Sequence, residues 1–168
     1  MRSSGEIAYY ETLVDRVRPE PGLVVFESMQ GWQYSDSPRA IYEELFRQRV
    51  DFTPVWSVRA DAVGLPHGLR TVHRHTRDWY RALASAQVWI DNQGFPAALR
   101  KPRHTTYLQT WHGTPLKQLG WDRPAFAQAS RREQERIATS VARWDAVTVP
   151  SDYFSAHVVD AFRATPSC

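Results

Sequence analysis

Short apolar runs recur along this chain, and the segments between them carry helical spacing. Leu23-Val24-Val25-Phe26-Glu27-Ser28 is compact, rich in β-branched and aromatic residues, and bounded by Gly22 and a loop at Gly31. That pattern predicts a strand buried on both faces. Residues 52–58 (FTPVWSV), 88–92 (VWIDN), 105–110 (TTYLQT) and 145–150 (DAVTVP) predict further strands, with a weaker one near 69–73. Between them, residues 5–18 place Ile7, Tyr10, Leu13, Val14 and Val17 on one helical stripe that stops at Pro19. Ser37-Pro38 reads as an N-cap and first-turn proline opening a helix with Ile41, Tyr42, Leu45 and Phe46 on its apolar face. Segments 76–86 and 125–143 read as helices, 94–99 as a short helical turn, and Ser151 as the cap of a helix carrying Phe154, Val158, Val159 and Phe162. Strands alternating with helices predict an α/β fold, a Rossmann-like parallel sheet with helices on both faces.

A length of 168 residues suits one core. The expectation is a single domain over 1–168, with 1–20 forming an amphipathic helix and linker. No run approaches the roughly 18 apolar residues of a membrane span, and Glu6, Glu11, Asp15 and Arg16 interrupt any signal-peptide core. A cytoplasmic protein is expected. Cys168, the single cysteine, excludes an internal disulfide and a cysteine-based zinc site. The net charge is +3, and the arginines that dominate the basic residues are dispersed, so no nucleic-acid partner is expected. His73 and His75 sit at strand alternation, but no third ligand follows at metal-binding spacing, so no metal is assigned. Glycine-rich phosphate loops, zinc-protease motifs and nucleophile elbows are absent, and no cofactor is expected.

In a parallel sheet the chemistry sits beyond the carboxyl ends of the strands. Thr110-Trp111-His112-Gly113-Thr114-Pro115-Leu116-Lys117 is the most informative such segment. A histidine at a strand end can take a proton from a hydroxyl. Gly113 permits close backbone approach, and Thr114-Pro115 reads as a helix start whose amides would favour an anion, with Lys117 adding charge. The alternative is that His112 only hydrogen-bonds across a turn. The loop 31–39 has the same grammar and offers a second anion site or a well-capped loop. Asp91, Asn92 and Ser151 could bond a polyol or serve as turn and cap residues.

Gln109 to Lys117, with Phe26-Glu27-Ser28, Gly31, Tyr34-Ser35-Asp36, Pro38-Arg39 and Ile41-Tyr42-Glu43, resembles the CDP-glycerol glycerophosphotransferases that build teichoic-acid polymers. The similarity extends over about residues 22–165, and its most specific block is His-Gly-Thr-Pro-Leu-Lys. Ser37 stands where the family more often has asparagine. The resemblance implies the N-terminal, acceptor-side half of a two-domain GT-B fold. It also implies transfer of glycerol phosphate from CDP-glycerol to a hydroxyl of a lipid-linked glycerol phosphate acceptor, with release of CMP. His112 matches the family's general base. Gly113, Thr114 and Lys117 are then expected beside the reacting phosphate, and Ser35, Asp36 and Asn92 at the acceptor. The family continues into a second domain beyond the span of this chain, so little transferase activity is expected of these 168 residues alone. A lipid-linked acceptor further implies a peripheral position on the inner face of the membrane. A sugar-transferring GT-B fragment and a non-catalytic acceptor-binding module are the alternatives.

Overall fold

In a computed structural model, residues 4–164 are described; Cys168 lies outside them. The chain runs α1 (Ser4–Arg16), β1 (Leu23–Glu27), α2 (Asp36–Arg47), β2 (Thr53–Val58), β3 (Thr71–His73), α3 (Arg77–Ser85), β4 (Val88–Asp91) and β5 (Thr106–Gln109). Then follow α4 (Pro124–Ala127), α5 (Arg131–Val141), β6 (Ala146–Val147) and α6 (Asp152–Phe154), which runs into a π-helical turn (Ser155–Asp160). All strand pairs are parallel and the order is β3-β2-β1-β4-β5-β6. This is the Rossmann-like sheet that the alternating pattern predicts.

Strand alternation divides the buried side chains between two faces. Leu23, Val25, Val55, Trp89 and Tyr107 meet Tyr10 of α1 and Trp79 and Leu83 of α3. Val24, Phe26, Trp56 and Ile90 meet Ile41, Tyr42 and Leu45 of α2 on the other face. Phe26 and Trp56 stack with ring centroids 5.4 Å apart, and Tyr42 packs edge-on against both. Every β1 side chain is buried, as expected of a central strand.

Several boundaries differ from expectation. Two crossovers, β2 to β3 and β4 to β5, contain no α-helix. In the second, the buried Arg143 guanidinium substitutes for helix packing by donating to the carbonyls of Phe95, Pro96 and Leu99 at 2.7, 3.0 and 2.8 Å. The predicted helix 125–143 is two helices, because the Ser130 hydroxyl accepts from the Glu133 amide and starts α5 afresh. Ser37 is not the cap of α2. Ser35 holds that position, its carbonyl anchored by the Ser28 hydroxyl at 2.6 Å, which starts the helix two residues earlier. The predicted strand 145–150 shrinks to Ala146–Val147. His73 and His75 do not alternate on one strand face: β3 ends at His73, and His75 turns to φ 66° and packs edge-on against Trp79.

Candidate active site

The sheet order reverses between β1 and β4, where the connections leave toward opposite faces and open a crevice. The segments after β1 and β5 carry left-handed backbone at non-glycine residues. Met29, Gln30, Asp36 and Trp111 have φ of 48°, 54°, 61° and 60°. Such residues persist where their surroundings hold them, and they cluster at functional sites. Gly31 (φ 85°) has a local cause, since a Cβ there would lie 2.9 Å from the Arg74 side chain and 3.1 Å from the Arg59 amide.

Asn92 holds this region together. Its buried side chain accepts the Met29 amide at Oδ1 (2.9 Å) and donates from Nδ2 to Asp36 Oδ2 (2.7 Å). One amide thus ties the loop after β1 to the first residue of α2. Asp36 is exposed, and among the described residues its carboxylate has no other hydrogen-bond partner and no cation within 4 Å.

Across the crevice, His112 follows β5. Its imidazole is exposed and lies nearly parallel to the Trp111 indole, 4.8 Å away. Trp111 is fixed in turn by its amide, which donates to Gln109 Oε1 (2.8 Å), and by Phe162 at 5.4 Å. Among the described residues His112 makes no hydrogen bond, so the turn-bonding alternative does not describe it. The imidazole is positioned by stacking, and both ring nitrogens stay available to a ligand.

Asp36 and Ser37 share a pocket of about 480 Å³ with Thr110, Gly113, Thr114 and Thr148, and Ile41, Val149 and Phe154 give it apolar walls. Of the expected site residues, the structure brings Asp36, Gly113 and Thr114 to this pocket and puts Asn92 behind Asp36. Ser35 caps α2 and directs its hydroxyl to Gln33. Lys117 is exposed and does not line the pocket.

One premise is overturned. Thr114-Pro115 opens no helix: residues 114–119 are irregular, up to a 3₁₀ turn at Gly120–Asp122. The Pro115 carbonyl instead accepts from Tyr153 Oη of α6 (2.9 Å). No helix amides are therefore available there for an anion.

On the opposite face, the strand ends carry buried polar groups that sequence reasoning did not assign to one cluster. Asp91 accepts from Tyr107 Oη (2.7 Å), Gln109 Nε2 (2.9 Å) and the Gly94 amide (2.5 Å). Burial raises its carboxyl to about 6, while the Tyr107 hydroxyl, the Gly94 amide and Arg143 pull it down. Burial likewise pushes the Tyr107 hydroxyl well up. Glu27 was missed as well. It accepts from Ser57, whose oxygen also receives the Trp79 indole N–H, and it faces Arg74 at 3.3 Å. A glutamate ending an otherwise apolar central strand was the available signal.

Among the described residues no group of three or more His, Cys, Asp or Glu side chains could hold a metal ion. No helix among them is long and apolar enough to cross a membrane.

Residues 9–166 match the family described as CDP-glycerol:poly(glycerophosphate) glycerophosphotransferase. The chain belongs to this family. It is 35% identical over 160 residues to a teichoic acid poly(glycerol phosphate) polymerase of Bacillus subtilis, covering 90% of this chain and 21% of that protein. It is 34% identical over 152 residues to a teichoic acid glycerol-phosphate transferase of Staphylococcus aureus, covering 88% and 39%. The fold superposes on a variant of the wall teichoic acid polymerase TagF with a TM-score of 0.84 at 30% identity, covering 95% of this chain and 40% of that one. A TagF structure soaked with CDPG gives the same TM-score and coverage. The chain thus spans between about a fifth and two fifths of the relatives it matches.

Proposed function

We propose that this chain forms the acceptor side of a glycerophosphotransferase. Glycerol phosphate passes from CDP-glycerol to a hydroxyl of a lipid-linked glycerol phosphate acceptor, and CMP leaves. The observation carrying this reading is His112: an exposed imidazole with no hydrogen bond among the described residues, stacked on an anchored indole. The next two residues line a pocket of about 480 Å³.

The acceptor hydroxyl must lose its proton as its oxygen attacks phosphorus, and a neutral imidazole within hydrogen-bond reach takes it. Phosphoryl transfer asks the protein chiefly for positioning and charge stabilisation. Gly113 and Thr114 border the reacting centre in this reading, Asp36 contacts the acceptor, and Asn92 fixes Asp36. Ser35 supports the start of α2, and Lys117 receives no role. Contact with a membrane surface belongs to the same proposal, because the acceptor is lipid-linked.

The test uses a chimera in which residues 9–166 replace the matching segment of the Staphylococcus aureus relative. CMP release from CDP-glycerol is measured with a glycerol phosphate primer. His112→Ala should lower turnover by about two to four orders of magnitude, the usual cost of losing a general base. Near-normal turnover removes His112 from that role. The chain alone should release little CMP.

A further inference from the structure

A second cavity, of about 240 Å³, opens on the α3 face at the carboxyl end of the sheet and shares no lining residue with the pocket beside His112. Gln30 reaches it from the loop after β1, Arg74 from the end of β3, Gln93 and Gly94 from the loop after β4, and Arg136 from α5. The charged side chains that line it are both arginines, and no carboxylate lines it. It is smaller than the roughly 300–1,000 Å³ of pockets that take drug-sized ligands, so it admits one small group.

Arg74 is the fixed part of this cavity. Its side chain is only 7% exposed. Nη1 donates to the Gln30 carbonyl at 2.6 Å, Nε lies 3.3 Å from Glu27 Oε2 without forming a hydrogen bond, and the guanidinium carbon stands 5.7 Å from the centre of the Trp79 ring. Gly31 makes room for it, since a Cβ there would lie 2.9 Å from Arg74 Cδ. The guanidinium is thus positioned before any ligand arrives, which lowers the cost of binding one. Among the described residues only one of its five N–H groups is hydrogen-bonded, and Nη2 has no acceptor at all. Buried donors in folded proteins normally find acceptors.

The neighbouring donors are similarly uncommitted. Gln93 Nε2 has a thioether as its acceptor, Met29 Sδ at 3.1 Å, which is a weak one. Arg136 is held by Glu133 through Nε and Nη2, and its Nη1 remains. The Phe95 and Pro96 carbonyls, which could have satisfied donors here, already accept from Arg143. Glutamine carbonyls add some acceptor capacity, but the formal charges on the lining are positive. Glu27 and Glu133 stand behind the two arginines and balance them, so attraction comes from positioned donors more than from net charge, and affinity should fall near the millimolar range. Donors arriving from three separate elements suit an oxyanion whose oxygens point in different directions, and guanidinium groups match phosphate in particular.

We infer that this cavity binds one phosphate group, free or carried by a larger molecule, with Arg74 as its principal ligand and Arg136 as a secondary one. The inference does not rest on the acceptor-side reading: it concerns a different cavity, and its test needs no turnover.

The test is an NMR titration of the 168-residue chain at fixed ionic strength with inorganic phosphate, glycerol phosphate and the diester glycerophosphoglycerol, and with acetate as a control. Saturable shifts are expected at the amides of Arg74, Gln93 and Gly94 and at the Arg74 Nε–H. Saturation by inorganic phosphate alone supports the inference with a free ion as the source, and saturation by either ester as well supports it with a larger molecule as the source. Arg74→Lys, which keeps the charge and loses the fork, should weaken binding about tenfold. Arg136→Gln, at an exposed position, should weaken it about threefold. Should Arg74→Lys lower the unfolding midpoint, Arg136→Gln carries the test. No saturable shift with any of the three phosphates, acetate binding as tightly as phosphate, or unchanged affinity in either folded variant overturns the inference and leaves the role of His112 untouched.

Discussion

Asp91 and Asp36 are both aspartates at the carboxyl end of the sheet, and they live in opposite environments. Asp91 is fully buried on the face shared with α3, and two side chains and a backbone amide donate to it. Asp36 is exposed at the crevice on the α2 face, with one fixed donor and a pocket in front of it. A saturated buried carboxylate has nothing left to offer a ligand. The half-saturated one does. Burial and hydrogen-bond capacity, more than residue type, separate scaffold from site here.

That contrast can be attacked at several points. Arg143→Met should cost the most, about 3–5 kcal/mol, because it strands three carbonyls and removes the guanidinium that holds the β4–β5 crossover. Chemical denaturation measures it, and a loss below 1 kcal/mol would mean the crossover stands without its staple. For Asp91 the sign follows from a raised carboxyl. Its stabilising share is complete below the ordinary value of 3.8 and is lost as pH climbs through about 6. Relative to Asp91→Asn, which does not titrate, the wild type should lose about 3 kcal/mol between pH 3 and 7. A flat difference would show that the surrounding donors cancel the effect of burial. Asp36→Asn should change stability least, within about 0.5 kcal/mol at neutral pH. A loss as large as that at Asp91 would place Asp36 in the scaffold and erase the contrast.

Legibility in the sequence tracked how local each cause is. The apolar stripe of α2 and the runs of β1 and β4 carry their own periodicity, so sheet and faces could be read before the structure. Thr114-Pro115 shows the opposite case. The start signal is intact, but Leu116 is 89% exposed and Gly120 and Pro124 follow closely, leaving no apolar face to bury. A cap without a packed stripe makes no helix. His112 was legible because a strand end and a glycine flank it. The Asn92 to Asp36 bond, which organises the pocket, joins positions 56 residues apart and leaves no local trace. Asp91 and Asn92 were read together, as polyol contacts or as turn and cap residues, yet Asp91 turns into the buried cluster while Asn92 ties Met29 to Asp36 at the crevice.

The Arg143 staple also bears on how the protein is made. Its carbonyl partners lie 44 to 48 residues earlier in the chain. A ribosome adding roughly 5–20 residues per second takes several seconds to cover that interval. Throughout it, the β4–β5 connection is already synthesised and lacks the side chain that fixes it. The second half of the sheet therefore cannot lock until Arg143, two residues past the end of α5, has been added.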